Sequence, residues 1–421
     1  MKLQYLIFFV FGLFVCCTDG PKQDSDKSLT FRIPGEFEPH EAIWLGFSTS
    51  ESNHETDTVT IDIIKALIPN VKLNLIIEND SLFSNGKEYF HSRGLDTSRI
   101  NLVFQNPTDV WYRDPGPIFG ITPNNELAIA DFKYTNYQNV RPDSIGERAR
   151  EHEGIDRDIA ERLGIATVVS EVAMEGGSFE TNGKGVLIQV EDITLRRNPH
   201  LTKVEIESDF KKNFGIEKVI WLPSGVADDP HNFDRISGNI FGYGTGGHSD
   251  EFVRFANDST ILISWVEEKE KDKHPINGLN YEVLSKNYNI LSKATDNSGK
   301  KFKVIKVPHP DPRTYEMVVA PYWAESDFWQ GIMEKFKLSM NDTIKMAYAT
   351  SYLNYIVTNN TVVIPQYGSI SKDTINLKDE KVKEILTKVF PKRNIIGINP
   401  ISFNQGGGGM HCRYQTQPEV K

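Results

Sequence analysis

The sequence predicts an α/β fold built as one large domain, and three observations predict it. Apolar strand-like runs alternate with amphipathic stretches along the chain. No low-complexity segment or clear linker interrupts it after Leu29. Hydrophobic residues make up 39% and aromatic residues 11%, enough for a sizeable core and incompatible with wholesale disorder. The strand expectations are Lys72 to Ile77, Ile100 to Phe104, Val186 to Val190, Val219 to Leu222, Thr260 to Trp265, Phe302 to Val307 and Tyr355 to Ile364. Between them Val59 to Leu67, Asp156 to Leu163, Lys203 to Phe214, Tyr281 to Ala294 and Asp379 to Phe390 carry apolar residues at helical spacing. The lysine-rich stretch Glu267 to Lys273 reads as a solvated loop. The formal net charge of −10 disfavours nucleic acid as a partner, because phosphate binding needs a concentrated basic surface. An acidic protein suits a cationic substrate better.

The N-terminus speaks to location. Lys2 precedes an apolar stretch from Leu3 to Val15, too short for a membrane span of roughly 20 residues and of the right length for a signal-peptide core. Cys16 and Cys17 follow, then the polar run Thr18 to Leu29. The pattern resembles a bacterial lipoprotein signal, although Phe14 and Val15 stand where small residues are usual. It implies a signal peptide over residues 1–17 and a flexible tether over 18–30. It also implies an exported protein held to the membrane through an N-terminal lipid, facing periplasm or cell surface. With those cysteines committed to processing, Cys412 is a lone thiol without a disulfide partner. A lone thiol outside the cytoplasm invites oxidation, so it needs a chemical reason.

Four clusters join glycine or proline punctuation to a reactive side chain. In Trp111-Tyr112-Arg113-Asp114-Pro115-Gly116-Pro117 the prolines and glycine make a rigid turn directly after Asp114. Glu175-Gly176-Gly177-Ser178 precedes a strand beginning near Gly185. Gly246-Gly247-His248-Ser249-Asp250 precedes the strand-like Phe252 to Phe255, and an extended backbone there would turn His248 and Asp250 to one face. Gly406 to Gly409 lead into Met410-His411-Cys412, and such a run lets backbone approach a substrate closely. Each cluster alone has an ordinary structural explanation; their joint occurrence carries the argument.

Taken together these motifs resemble the agmatine deiminases and Porphyromonas-type peptidylarginine deiminases, a family of the guanidine-modifying α/β-propeller superfamily. Further similarity lies in Glu38 to Ala42, Arg197-Asn198-Pro199, Ser351 to Asn354 and Val363 to Gly368, so the resemblance spans roughly Ile33 to Pro418. It implies five pseudo-symmetric ββαβ-type units around a central active site, in a deiminase catalytic domain over residues 31–421. It further implies that Cys412 attacks the guanidinium carbon, His248 serves as acid and base, and Glu175 orients His248. Asp114 and Asp250 would grip the guanidinium, since a carboxylate can accept paired hydrogen bonds from it. Trp111 and Arg113 are further candidates for substrate contact. No step calls for a metal or organic cofactor; His231, His248 and Asp250 have no recognised ligand spacing. His411 reads as a structural neighbour of the thiol.

The substrate stays open at this point. The signal segment favours peptidyl-arginine or free arginine, whereas Gln415-Thr416-Gln417-Pro418 looks closer to the agmatine type. An arginine carboxylate would need a cation, with Arg113, Arg196, Arg197 and Arg413 as candidates. The leading expectation is protein or peptidyl-arginine deimination, the alternative agmatine deimination for putrescine biosynthesis. A binding-only lipoprotein on the same fold, a papain-like hydrolase and an amidinotransferase are the rivals. Ala227 to Thr245 looks longer than in typical agmatine deiminases and is placed to reshape the entrance.

Overall fold

The β-branched runs become strands, and the strands group into one repeated motif. A first strand pairs antiparallel with a buried central strand; the chain then crosses over through helix and returns parallel on the far side. The structure, a computed structural model, describes residues 31–47, 54–106, 110–138, 151–368 and 376–420. The expected signal segment and tether, Cys16 and Cys17 included, lie outside the described residues.

Five copies of the motif are present among the described residues, centred on His40–Gly46, Leu127–Lys133, Val186–Val190, Thr260–Trp265 and Thr361–Pro365. Their crossover helices include His54–Leu67, Ile155–Leu163, Lys203–Phe214, Pro275–Leu291 and Leu377–Val389. Val186–Val190 and Thr361–Pro365 are buried at every position, as expected of strands covered on both faces. The first unit is completed from the far end of the chain: Tyr414–Pro418 pairs antiparallel with His40–Gly46. The Trp44 indole donates to Gln417 Oε1 across that seam at 2.9 Å. This is the five-unit α/β arrangement that the family resemblance implied and that periodicity alone did not reveal.

A further sheet stands outside the repeat. The hairpin His231–Ser237 with Ile240–Thr245 comes from the connection between units three and four, and Thr314–Val318 with Thr343–Ala347 from that between units four and five. Ile240–Thr245 runs parallel to Thr343–Ala347 and joins the two hairpins. Phe233, Phe241, Trp323, Ile344 and Met346 make the core of this addition, with the helix Asp327–Phe336 packed on it.

Two expectations change. Tyr355 to Ile364 is not one strand but the antiparallel pair Ile356–Val357 and Thr361–Pro365, because Asn359-Asn360 turns the chain between them. The helix expected over Tyr281 to Ala294 begins earlier, at Pro275. Proline at the first position needs no amide partner, and the His274 side chain accepts from the Ile276 amide.

At the centre the units share a buried charge network. Glu36 pairs with Arg113 of the second unit and Arg254 of the fourth, and accepts from Tyr414 of the first at 3.3 Å. His411 Nε2 lies 2.9 Å from Glu36 Oε2. Arg254 also pairs with Glu180 of the third unit at 3.0 Å and donates to the carbonyls of Leu353 and Tyr355 of the fifth at 3.1 and 3.2 Å. Removing one partner of such a network strands buried opposite charge. Glu36→Ala is expected to lower the unfolding free energy by about 3–5 kcal/mol, measured by denaturant titration; a loss below about 1 kcal/mol would show that the network is not what joins the units.

Candidate active site

Each unit brings a loop to the centre just ahead of its first strand. Asp114 precedes Ile118–Ile121, Glu175 precedes Glu180–Thr181, and His248 with Asp250 precedes Val253–Asn257. Asn354 precedes Ile356–Val357, and Cys412 precedes Tyr414–Pro418. The repeat thus converts five separated stretches of sequence into one cluster. The local backbone differs from the extended form expected: Ser249–Glu251 and His411–Arg413 are single 3-10 turns. Both turns still aim Asp250 and Cys412 at the same point, because the tight turn rather than strand alternation sets their direction.

The thiol Sγ of Cys412 lies 3.8 Å from Asp250 Oδ2 and 3.7 Å from Glu251 Oε1. Asn354 Nδ2 and the Gly409 amide approach it at 3.4 Å each. Asp250 is anchored from beneath by His411 Nδ1 at 2.7 Å. Burial and the guanidinium groups of Arg113 and Arg254 press His411 toward its neutral form, while the carboxylates of Glu36 and Asp250 favour the imidazolium. Burial prevails, and the His411 pKa lies below the ordinary histidine value.

His248 sits between two carboxylates, with Nδ1 3.6 Å from Asp114 Oδ1 and Nε2 3.5 Å from Glu175 Oε2. Those distances are ion-pair contacts rather than close hydrogen bonds. Burial opposes charge on the ring, but Asp114, Glu175 and Asp250 outweigh it and hold its pKa at about 9. Glu175 is itself buried, yet Arg197 Nε at 2.7 Å, together with His248, brings its carboxyl down to about 2. Burial raises Asp114 to about 6 against the pull of His248. Asp114 accepts from the Gly177 amide at 2.9 Å and from Tyr137 Oη at 2.7 Å. A Cβ at Gly177 would meet His248 Nδ1 at 2.4 Å, so only glycine leaves room for the imidazole. Burial first, and then Asp250, Glu251 and Asp114, push the Cys412 thiol well above its usual range.

A cleft of about 580 Å³ opens over the thiol, lined by Trp111, Asp114, Tyr137, Phe233, Tyr243 and Cys412 among others. The glycine run forms its edge. A Cβ on Gly408 would strike the Trp111 ring at 2.8 Å, and one on Gly407 would meet Tyr243 at 2.9 Å. Trp111 is therefore a wall of the cleft, whereas Tyr112 is fully buried in the core.

Arg113 requires correction as a substrate contact. Its guanidinium is occupied by Glu36, the Gly176 carbonyl at 3.1 Å and Gln415 Oε1 at 3.4 Å. It does not line this cleft. His231 does not join a metal site with His248 and Asp250, since its Nε2 hydrogen-bonds the Tyr137 carbonyl oxygen at 2.8 Å. Among the described residues, the group of metal-capable side chains is Asp250, Glu251 and Cys412, with ligand atoms within 4.8 Å of one another. The same atoms form an acceptor set suited to a planar organic cation.

The sequence did not single out Glu36, Tyr137, Asp229, Glu251 or Asn354. Asp229 accepts from the Thr245 amide and hydroxyl at 2.5 and 2.7 Å, and from the amides of Gly247 and His248 at 2.9 Å each. It thereby clasps the base of the added hairpin to the loop that carries the imidazole. Its neighbour Asp228 is fixed in turn by Asn280 at 2.9 Å and His309 at 3.3 Å. A lone aspartate has no sequence signature for this. The signal available was the repeated position of Asn354, just ahead of a first strand.

Residues 32–418 match the family described as Porphyromonas-type peptidyl-arginine deiminase. The agmatine deiminase of Pseudomonas aeruginosa (strain UCBPP-PA14) is 25% identical over 413 residues, covering 95% of this chain and 98% of that protein. The agmatine deiminase of Medicago truncatula is 25% identical over 401 residues, covering 93% of this chain and 97% of that protein. The solved structure of the agmatine deiminase of Enterococcus faecalis superimposes with a TM-score of 0.70 at 25% identity, covering 92% of this chain and 96% of that one.

Two measurements test this geometry. His248 can donate a proton only below its pKa of about 9, so kcat/KM should fall as pH rises through that value. Glu175→Gln removes a carboxylate that favours the imidazolium and should move this basic limb to lower pH; an unmoved limb would contradict the assignment. Asp229→Ala should leave the thiol in place but cost kcat about 100-fold through a displaced imidazole, read by steady-state kinetics beside alkylation of Cys412.

Proposed function

We propose that this chain, which belongs to the Porphyromonas-type peptidyl-arginine deiminase family, hydrolyses agmatine to N-carbamoylputrescine and ammonia through a covalent adduct on Cys412. That it is a hydrolase of C–N bonds in linear amidines follows from the family and the agmatine deiminases it matches. The observation that carries the mechanism is a single atom. Asp250 Oδ1 is buried without a hydrogen-bond partner among the described residues, while its Oδ2, 3.8 Å from the thiol sulfur, is held by His411. A buried acceptor left unmet costs about 1–3 kcal/mol, and a guanidinium N–H supplies the missing donor. Asp114, across the site, accepts from the other side of the same plane.

The arrival of the substrate also changes the nucleophile. In the free site Cys412 is a thiol, surrounded by acidic groups. A bound guanidinium adds positive charge next to sulfur and offsets those carboxylates, so the thiolate forms when there is something to attack. Sulfur adds to the guanidinium carbon. His248, protonated at neutral pH, gives its proton to the departing ammonia. The neutral imidazole then takes a proton from the water that cleaves the thiouronium, releasing the ureido product and free thiol. Glu175 keeps the imidazole oriented throughout and favours its charged form before and after the proton is passed.

Agmatine is favoured over free arginine or a C-terminal arginine, the carboxylate-bearing part of the leading expectation from sequence, because no lysine or arginine lines the described cleft. Arg113 is taken by Glu36 and Arg197 by Glu175, Arg413 lies over the Phe403 ring at 4.3 Å, and Arg196 lies against Gly246 next to the lining Thr245 without lining the cleft itself. A substrate carboxylate would find no cation among those lining residues. Export and lipidation through the N-terminal segment belong to the same proposal and rest on sequence alone.

The test is ammonia and ureido-product release from agmatine, free arginine and a peptide ending in arginine, with protein lacking residues 1–30. Agmatine should be turned over with kcat/KM at least about 100-fold above either arginine substrate, the scale of leaving a carboxylate unpaired. Preference for the peptide would reverse the substrate assignment. Cys412→Ser should abolish turnover with the fold retained, and turnover surviving that change would sink the covalent mechanism.

A further inference from the structure

The sheet added between the repeats is not needed to close the ring, yet it supplies much of the cleft. Asn232, Phe233, Tyr243, Gly244 and Thr245 of its hairpin, and Phe328 of its helix, all line the space above Cys412. With Trp111 and Tyr137 they bring five aromatic rings to one cavity. The wall is braced from behind. Phe233 packs edge-on against Tyr243 at 5.1 Å and Trp323 at 5.8 Å, and Trp323 stacks on Trp329 at 4.2 Å. Trp111 is held opposite by the glycine run, which admits no side chain between them. Asp114 is the one charged side chain among the described lining residues, and the guanidinium end claims it.

A substrate bound by its guanidinium at the thiol must therefore place its other end against aromatic faces rather than a carboxylate. We infer that Phe328 and Tyr243 of the added sheet, backed by the buried Phe233 and facing Trp111, form a cation-selective subsite that holds the distal ammonium of the substrate. This inference rests on the agmatine reading above and assigns the recognition of its tail. The aromatic faces carry negative quadrupole charge and attract a cation placed over them. The same wall offers no lysine or arginine to pair with a carboxylate, so one surface serves both to accept the amine and to disfavour an amino acid. It also gives the added sheet a task that the repeat cannot perform.

The experiment compares agmatine with 1-butylguanidine, which has the same methylene chain and no charge at its end. Wild type is expected to prefer agmatine. Phe328→Leu keeps apolar bulk but removes the π face, on a half-buried helix position where folding is not at stake. The ratio of kcat/KM for agmatine over butylguanidine should fall roughly 5- to 10-fold. Tyr243→Leu should do the same, and Phe328→Tyr should restore the ratio. If both substrates lose equally in the leucine variants, the wall is a plain apolar surface and the inference is overturned. An unchanged ratio overturns it as well. Wild-type protein inactive on both guanidines would instead refute the agmatine reading, and this subsite with it.

Discussion

One buried ion pair, Glu36 with Arg254, touches all five units. Through Glu36 it reaches Arg113 of the second unit and His411 and Tyr414 of the first. Through Arg254 it reaches Glu180 of the third and two carbonyls of the fifth, and Arg254 itself belongs to the fourth. The Tyr355 ring lies beneath the same guanidinium at 4.6 Å. Burying such charges is expensive, and the Coulombic return is recovered only when every donor and acceptor is met. A ring of separate sheets has no continuous hydrogen-bond ladder to align its members. Direction-dependent bonds to one central pair supply the alignment that sheet pairing cannot.

The groups of the candidate site inherit their properties from this frame. Asp250 is held between His411 and Asn354, and His411 rests on Glu36, so the carboxylate next to the thiol is positioned by the same centre that joins the units. Burial alone would raise every carboxyl and lower every imidazole. Specific partners separate them instead: Arg197 draws Glu175 down to about 2, while Asp114, lacking a guanidinium partner among the described residues, rises to about 6. His248, flanked by both, stays protonated. Three carboxyl groups of similar intrinsic chemistry thus acquire distinct surroundings from where they sit.

The legibility of all this from sequence was uneven. Lys203 to Phe214, Val186 to Val190 and Thr260 to Trp265 coincide with elements of the structure, because a capping threonine and a glycine bound the first, a glycine opens the second, and an apolar run marks the third. Asp114, Glu175, His248, Asp250 and Cys412 were visible because glycine or proline marks each loop. Asn354 carried no such mark, and Asp229 and Glu36 act only through partners brought close by folding. Arg113 misled because it adjoins Asp114, although neighbours in a turn can face different ways. The fivefold repeat was hidden because its units share pairing geometry rather than residues, and the added sheet interrupts their spacing.

The seam between Tyr414–Pro418 and His40–Gly46 has a consequence in time. Translation runs from the N-terminus, so four of the five site loops are made before the thiol. Trp44 and Gln417, bonded across the seam, are 373 positions apart. A contact of that separation forms late, after the loop entropy of the intervening chain has been overcome. A partly synthesised or partly folded chain therefore holds its acids and imidazole with no nucleophile among them. The reactive sulfur joins them only as the ring closes, so assembly itself keeps the chemistry silent until the molecule is whole.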